Sequence, residues 1–218
     1  SGLFYRREVE LGEAGVRTFN DGYGESYAEI RQYSEALRLF GGDIRIDRAI
    51  VDLEGPQARA YQVQAKVRAM RLAFEALFFN GDSNSSAAEF DGLNVRLPAS
   101  QAGTHSQVIA NSGSAAKLDL LKLDEAIDAV DAQGGRKVIL GSKSFRRHLT
   151  ATARTSNQID ISKDEFGYQQ VTYAGLPILE VDRDHKNVPI LDSTPANQSA
   201  YIVSFGNDHV TGIQNGGP

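Results

Sequence analysis

The chain has 218 residues, of which 41% are hydrophobic and 23% are charged, and its formal net charge is −5. This composition is typical of a globular protein, and the acidic surplus argues against a dedicated nucleic-acid-binding protein, which usually carries excess positive charge. No apolar run approaches the roughly 20 residues that a membrane-spanning helix needs. Because cysteine is absent, disulfides, thiolate catalysis and cysteine-ligated metal sites are excluded.

The first part of the chain, residues 1–54, is predicted to consist of strands and loops. Apolar and charged residues alternate over 6–11 and again over 43–47, which is the period of a strand. A short helix is predicted near Ser26–Arg38. Because much of it is polar, the whole segment is predicted to be an extended arm. Hairpin turns are predicted at Asp21-Gly22 and at Gly41-Gly42.

A long helix is predicted over residues 56–80. Pro56 suits the first helical turn, and Asn80-Gly81 is typical of a left-handed C-terminal cap. At 1.5 Å per residue this helix would be about 36 Å long. Apolar residues recur on one side at steps of three and four, which predicts a core face, and the other sides are basic. The core-face residues are Val63, Val67, Met70, Phe74 and Leu77, and the basic residues are Arg59, Lys66, Arg68 and Arg71.

A short aromatic and aliphatic unit follows the helix. Phe90 and Leu93 flank Asp91-Gly92 and are predicted to anchor the loop after the helix. A polar connection is predicted over 100–117. The remaining elements make the chain α+β. They are helices at 120–131 and 143–154, the second one capped by Ser142, a buried strand at 137–140, and strands at 169–173, 176–181, 189–191, 199–205 and 210–214.

Sequence motifs of catalysis are missing from the chain. It contains no phosphate-binding Gly-x-x-x-x-Gly-Lys-Ser/Thr, no His-Glu-x-x-His and no Gly-x-Ser-x-Gly. None of the histidines, at positions 105, 148, 185 and 209, has another histidine at metal-ligand spacing. We therefore predict no catalytic, cofactor or metal site, and the alternative from a different class is a small-molecule enzyme with an unrecognised site.

The order of the motifs resembles a known family. A polar arm leads into a long helix that ends Phe-Phe-Asn-Gly-Asp, and a Ser/Ala spacer and Glu-Phe-Asp-Gly-Leu follow. Further along come Val138-Ile139-Leu140-Gly141, Tyr173-Ala174-Gly175-Leu176-Pro177 and Tyr201-Ile202-Val203-Ser204-Phe205-Gly206. This series resembles the major capsid proteins of tailed bacteriophages with the Hong-Kong-97-type fold.

The resemblance implies an α+β capsid fold with an extended β-hairpin arm, a long spine helix and a mixed α/β axial domain. Residues 1–54 would be the arm and 55–109 the peripheral domain with the spine helix. Residues 110–205 would form the axial domain, and 206–218 the start of a truncated return to the peripheral domain.

The resemblance also implies a function. The protein would be a structural subunit that self-assembles into pentamers and hexamers of an icosahedral phage head enclosing double-stranded DNA. It would be made and assembled in the host bacterial cytoplasm and reside in the virion capsid. The expected partners are further copies of itself, scaffolding, portal and decoration proteins, and non-specifically packaged DNA, with no cofactor and no membrane. The alternative within the same fold is an encapsulin-like nanocompartment shell protein.

Charged arm residues are the candidate inter-subunit contacts. Ion pairs between subunits would set register more than strength, although each charge could equally be solvated. Some members of the resembled family join the arm to a neighbour through a lysine–asparagine isopeptide bond. Here the first lysine is Lys66, in the spine, so we predict a shell without covalent cross-links. The candidate contacts are Arg6, Arg7, Glu8, Glu10, Glu13, Arg17 and Arg31.

Overall fold

A two-stranded antiparallel ribbon forms the start of the chain. Its strands are β1 (Gly2–Glu10) and β2 (Glu29–Ala36), paired so that Tyr5 lies opposite Tyr33. The helix predicted near Ser26–Arg38 is therefore wrong, because pairing with β1 keeps this segment extended. The computed structural model describes residues 2–97, 107–111, 118–130, 133–156, 160–163, 169–194 and 198–214. We call residues 2–36 the ribbon, and residues 11–28 within it the ribbon loop.

The predicted turns and the second predicted strand of this region also differ from the structure. Within the ribbon loop the turn lies at Thr18–Asp21, where the Asp21 amide donates to the Thr18 carbonyl over 3.3 Å. Gly41-Gly42 joins no pair of strands, and residues 43–47 are not a strand. Instead the Asp47 carboxylate accepts from the Ala49 amide at 2.9 Å and caps α1 (Arg48–Glu54).

The spine helix α2 runs from Pro56 to Asn80, as predicted. The expected left-handed cap is wrong, because Gly81 has a φ of −59°. Glycine is needed there for close packing: a Cβ at Gly81 would lie 2.3 Å from the Phe90 carbonyl oxygen. Gly92 is equally confined, since its Cβ would lie 2.7 Å from the Phe79 carbonyl oxygen. The Gly92 amide donates to the Gly81 carbonyl at 2.8 Å, so the loop after α2 returns directly onto the end of the helix.

The predicted core face of α2 is not a core within one chain. Val63, Val67 and Phe74 are 41%, 61% and 48% exposed, and Met70 and Leu77 are only half-buried. The reason is that the sheet and its helices cover only the C-terminal end of α2. The buried residues of the helix are Ala58 and Phe79.

A mixed five-stranded sheet forms the centre of the described structure. Its strands are β3 (Arg136–Ser142), β4 (Asp160–Lys163), β5 (Gln169–Tyr173), β6 (Leu176–Val181) and β7 (Ala200–Phe205). They lie in the order β4-β5-β6-β3-β7, with β3 parallel to β6 and antiparallel to β7. The two remaining neighbouring pairs, β4 with β5 and β5 with β6, are antiparallel. The predicted strands at 189–191 and 210–214 are wrong: those segments form only isolated bridges to Arg183 and Phe205.

Helices cover both faces of this sheet. On one face, Val138 and Leu140 of β3 pack with Phe79 of α2 and with Leu93 of the short helix α3 (Leu93–Arg96). On the other face, Ile139 packs against α4 (Leu120–Asp128) and α5 (Lys143–Ser156). Burial on both faces explains why residues 138–140 of β3 form a continuous apolar run rather than an alternating pattern. The Ser142 hydroxyl accepts from the Phe145 amide at 3.1 Å, which confirms the predicted cap of α5.

Side-chain amides connect the end of the spine to the sheet. The Asn80 side chain donates to the Ile190 carbonyl at 2.7 Å and accepts from Asn94 of α3. Asn94 in turn accepts from the hydroxyl of Tyr201 in β7. The C-terminal end of α2, α3 and the sheet are thus joined by polar contacts as well as by the core. In the described part of the chain, no helix combines the length and apolarity that crossing a membrane requires.

Candidate subunit interface

The ribbon has no hydrophobic core of its own. From residue 2 to residue 57, a stretch that the structure describes in full, no residue is buried. Val16 and Phe19 in the ribbon loop are fully exposed. A two-stranded ribbon is at best marginally stable in water without a packed face. Its other exposed apolar and aromatic residues are Phe4, Tyr5, Val9, Leu11, Tyr23, Tyr27, Ile30 and Tyr33.

Like charges face each other across the two strands of the ribbon. Arg7 lies opposite Arg31, and after a register shift Glu10 lies opposite Glu29. Like charges in directly opposed positions destabilise a strand pair. Within the chain this is relieved in part by an ion pair of 2.7 Å between the Arg31 Nε and the Glu29 carboxylate. The remaining charges of both pairs face solvent, so they are open to opposite charges from another molecule.

The other predicted contact residues also lie on the exposed surface of the ribbon. Arg6 is opposite Gln32 and Glu8 is opposite Ile30. Glu13 contributes its carbonyl, which accepts from the Ser26 hydroxyl at 2.7 Å. The Arg17 guanidinium lies 5.0 Å above the Tyr23 ring and donates to the Asp21 carbonyl at 3.1 Å. These two contacts shape the ribbon loop, while the side chains of Arg6, Glu8 and Glu13 remain exposed.

A charged cluster joins the ribbon to the rest of the chain. The Arg96 guanidinium donates through both terminal nitrogens to the Glu35 carboxylate, at 2.8 and 2.9 Å. The Tyr5 hydroxyl donates to the same carboxylate at 3.1 Å. Arg96 lowers the pKa of Glu35, chiefly through these hydrogen bonds, while the Glu35 carboxylate raises the pKa of Arg96. Burial, followed by the bond to Glu35, raises the pKa of Tyr5.

An aromatic contact lies beside this charged cluster. The Phe74 ring of the spine contacts Phe40 at 5.8 Å and Phe90 at 5.7 Å between ring centroids. Phe90 and Leu93 are the two residues predicted to anchor the loop after the helix: Phe90 is half-buried and Leu93 is buried in the core. Because Phe40 lies four residues after the end of β2, the aromatic contact holds the segment that follows the ribbon against the spine.

The spine presents a second exposed surface. Val63, Gln64, Val67, Arg68 and Arg71 line a shallow groove along the helix. Between residues 56 and 74 the charged residues are all basic, and the first acid is Glu75, whose pKa is raised by burial. The groove therefore combines apolar side chains with positive charge.

The described residues show no candidate metal site. Within the part of the chain that the structure covers, no group of three His, Asp or Glu side chains could hold a metal ion. The His209 ring lies 3.0 Å from the Gln133 carbonyl, which is a structural contact, and His105 is outside the described residues. Tyr173, whose pKa is raised to about 12 by burial and by its bond to Asp124, links β5 to α4.

Sequence reasoning missed the contact between Glu35 and Arg96. The two residues are 61 positions apart, and each lies in a short segment whose pattern predicts no partner. The alternating charges of β2 mark Glu35 as one of several exposed acids, and nothing local distinguishes it from Glu29.

Comparison with known proteins places these surfaces in context. Residues 8–123, more than half of the chain and including most of the ribbon and all of the spine, match the family described as Major capsid protein GP7. The chain belongs to this family. Membership in this family supports a structural role in a capsid.

One solved structure is similar to this chain in fold. The chain is similar to a chain of the cyanophage A-1(L) capsid asymmetric unit, with a TM-score of 0.59 and 16% sequence identity. The similarity covers 93% of this chain and 65% of that chain, so the present chain spans about two thirds of the length of that capsid protein. Comparison with curated proteins gives no match.

Proposed function

We propose that the protein is a self-assembling shell subunit with the Hong-Kong-97-type fold, which forms the pentamers and hexamers of an icosahedral phage head around double-stranded DNA. In this fold assignment the ribbon, within residues 1–54, is the extended arm. Residues 55–109 are the peripheral domain with the spine helix, and residues 110–205 are the axial domain. Residues 206–218 begin the return to the peripheral domain.

One observation carries this proposal: the ribbon exposes aromatic and aliphatic side chains that no part of the described chain covers. Exposed apolar residues are ordinary when they are isolated, but a contiguous set marks an interaction surface. A monomer would gain nothing from keeping Val16 and Phe19 fully in water. A neighbouring subunit that covers them would stabilise both the ribbon and the contact between subunits.

Charge supports a second copy of the same chain as the partner. Arg17 is the sole basic residue between residues 8 and 29, and the spine surface is basic from Arg59 to Arg71. Opposite charge on two surfaces favours correct encounter and register more than affinity. In the shell, the ribbon loop of one subunit would lie against the spine groove of the next. The acidic residues between residues 8 and 29 are Glu8, Glu10, Glu13, Asp21, Glu25 and Glu29, of which Glu13, Asp21 and Glu25 lie in the ribbon loop.

Each contact can be weak, because the shell contains many of them. Repeated contacts between copies in a closed symmetric arrangement add up to an avidity that no single contact has. Cyclic rings of five and six subunits use the same heterologous interface at slightly different angles.

Electron microscopy of the full-length protein tests the proposal. The protein would be expressed alone and together with its neighbouring genes, and the purified material would be imaged after negative staining. Closed particles of uniform diameter are expected in at least one of the two preparations. A protein that remains monomeric in both, at concentrations of tens of micromolar, would contradict self-assembly.

A further inference from the structure

The contact between Glu35 and Arg96 joins three segments that are far apart in the sequence. Tyr5 is in β1, Glu35 is in β2, and Arg96 is in α3. Because Tyr5 and Arg96 share the Glu35 carboxylate, this single cluster connects both strands of the ribbon to α3. The Tyr5 ring also stacks on Tyr33 at 5.7 Å, which aligns the two strands at the same level.

Arg96 is itself held in a fixed position. Its Nε donates to the Asp91 carbonyl at 2.9 Å, and the Asp91 carboxylate accepts from the Ser83 amide at 2.9 Å. The same short helix places Leu93 in the core. The guanidinium is therefore presented to Glu35 from a rigid base, and its two parallel hydrogen bonds fix an orientation as well as a distance.

We propose that Arg96 is a positioning residue, which latches the ribbon through Glu35 at one angle to the subunit before a neighbour binds. This inference rests on the proposed function, because the ribbon is the surface that the latch presents. A ribbon held at the correct angle loses less conformational freedom when it meets the next subunit, so association is faster than with a freely swinging ribbon.

Positioning explains this cluster better than stability does. Both side chains are nearly half exposed, at 43% for Arg96 and 42% for Glu35, and exposed ion pairs stabilise a fold only slightly. The aromatic contact of Phe40 with Phe74 attaches the segment just after the ribbon to the spine, which gives a second point of attachment. Attachment to both α2 and α3 fixes the angle between the ribbon and the rest of the subunit, whereas either attachment alone would let the ribbon pivot.

A distance measurement in the isolated subunit tests the latch. The chain has no cysteine, so Thr18→Cys in the ribbon loop and Asp208→Cys on the body introduce two unique spin-label sites. Both positions are exposed. At a protein concentration below that at which particles form, double electron–electron resonance should give one narrow distance distribution. Arg96→Ala should broaden this distribution. Arg96→Lys keeps the positive charge but cannot donate two parallel hydrogen bonds to Glu35, so it should broaden the distribution less.

Two further variants separate the latch from a general loss of structure. Arg48→Ala removes an exposed arginine that pairs with Asp52 on α1, and it should leave the distribution narrow. If Arg96 acts through Glu35, the double variant Glu35→Ala/Arg96→Ala should be no broader than either single variant. An unchanged narrow distribution in Arg96→Ala, or additive broadening in the double variant, would overturn the latch.

Assembly kinetics give the functional readout. The initial rate of particle formation, followed by light scattering without spin labels, should fall about fivefold or more in Arg96→Ala. Its thermal midpoint should change by less than about 3 °C. Failure of the unaltered protein to form particles would contradict the proposed function and leave the distance result intact. An unaltered assembly rate in Arg96→Ala would contradict the latch and leave the shell proposal intact.

Discussion

The ribbon and the five-stranded sheet differ in where their apolar side chains lie. In the sheet, Ile139 is fully buried and its neighbours on β3 pack against helices on both faces. In the ribbon, Val16 and Phe19 are fully exposed. The sheet with its helices can be stable as one chain, because it provides its own apolar contacts. The ribbon exposes apolar side chains that are typical of an interface, and under the proposed function a second copy of the chain would cover them.

The largest effect is expected from the ribbon loop. The double variant Val16→Ser/Phe19→Ser should abolish particle formation, because a loss of about 1–2 kcal/mol at each of many repeated contacts is multiplied over the shell. Light scattering and electron microscopy measure the loss. Stability of the isolated subunit in urea should be unchanged within about 0.5 kcal/mol, because both side chains are already in water. Normal particles from the double variant would show that the loop is not an interface.

A substitution in the sheet should instead lower the stability of the isolated subunit. Ile139→Ala should lower the free energy of unfolding of the isolated subunit by about 2–5 kcal/mol, because the cavity forms in a strand that is packed on both faces. Urea unfolding followed by circular dichroism measures it, and Val16→Ala in the ribbon is the matched control. If both substitutions cost the same, the contrast between the two regions would disappear.

The turn after the spine should show an intermediate effect. Gly92→Ala should destabilise the subunit by about 1–3 kcal/mol, because its Cβ would meet the carbonyl oxygens of Phe79 and Leu77 at 2.7 and 2.8 Å. Gly22→Ala in the ribbon loop is the control, since nothing lies within 4 Å of that position. Thermal unfolding compares the two variants. Equal midpoints would mean that the loop does not pack against the end of α2 as described.

The smallest effect is expected from lowering the pH, which weakens the contact between Glu35 and Arg96. Arg96 lowers the pKa of Glu35 in the folded chain. The contact between the two therefore contributes fully to the stability of the folded chain above the ordinary glutamate pKa of about 4.3. That contribution is lost as the pH falls through the lowered pKa, and for an exposed pair it is under about 1 kcal/mol. Spin-label distances should remain narrow from pH 8 to pH 5 and broaden only in stronger acid. Because the pKa of Asp91 is also lowered, the comparison needs Glu35→Gln, which should be broad at every pH.

Local sequence signals predicted the elements whose ends are set by local chemistry. Pro56 and the Asn80-Gly81 pair gave the bounds of the spine, and Ser142 gave the start of α5. The strands at 169–173 and 176–181 were likewise predicted, because a turn with positive φ at Ala174 and Gly175 separates them. In these places the local preference and the tertiary structure agree.

The errors arose where distant partners decide the structure. Residues 26–38 contain good helix-forming residues, yet the register with β1, including the stack of Tyr5 on Tyr33, keeps them extended. The periodic face of the spine predicted burial, and in one chain the residues of that face are half-buried or exposed. The Glu35–Arg96 contact depends on a fold in which two segments 61 residues apart come together, and no local pattern specifies that.

A cryo-electron microscopy map of the assembled particle tests the central claim most directly, because it shows which chain the ribbon touches. We expect the side chains of Val16 and Phe19 to be buried against the neighbouring copy, with the acidic ribbon loop beside the basic groove of that copy's spine. A ribbon that lies on its own subunit, or that extends into solvent in every subunit of the particle, would contradict the account.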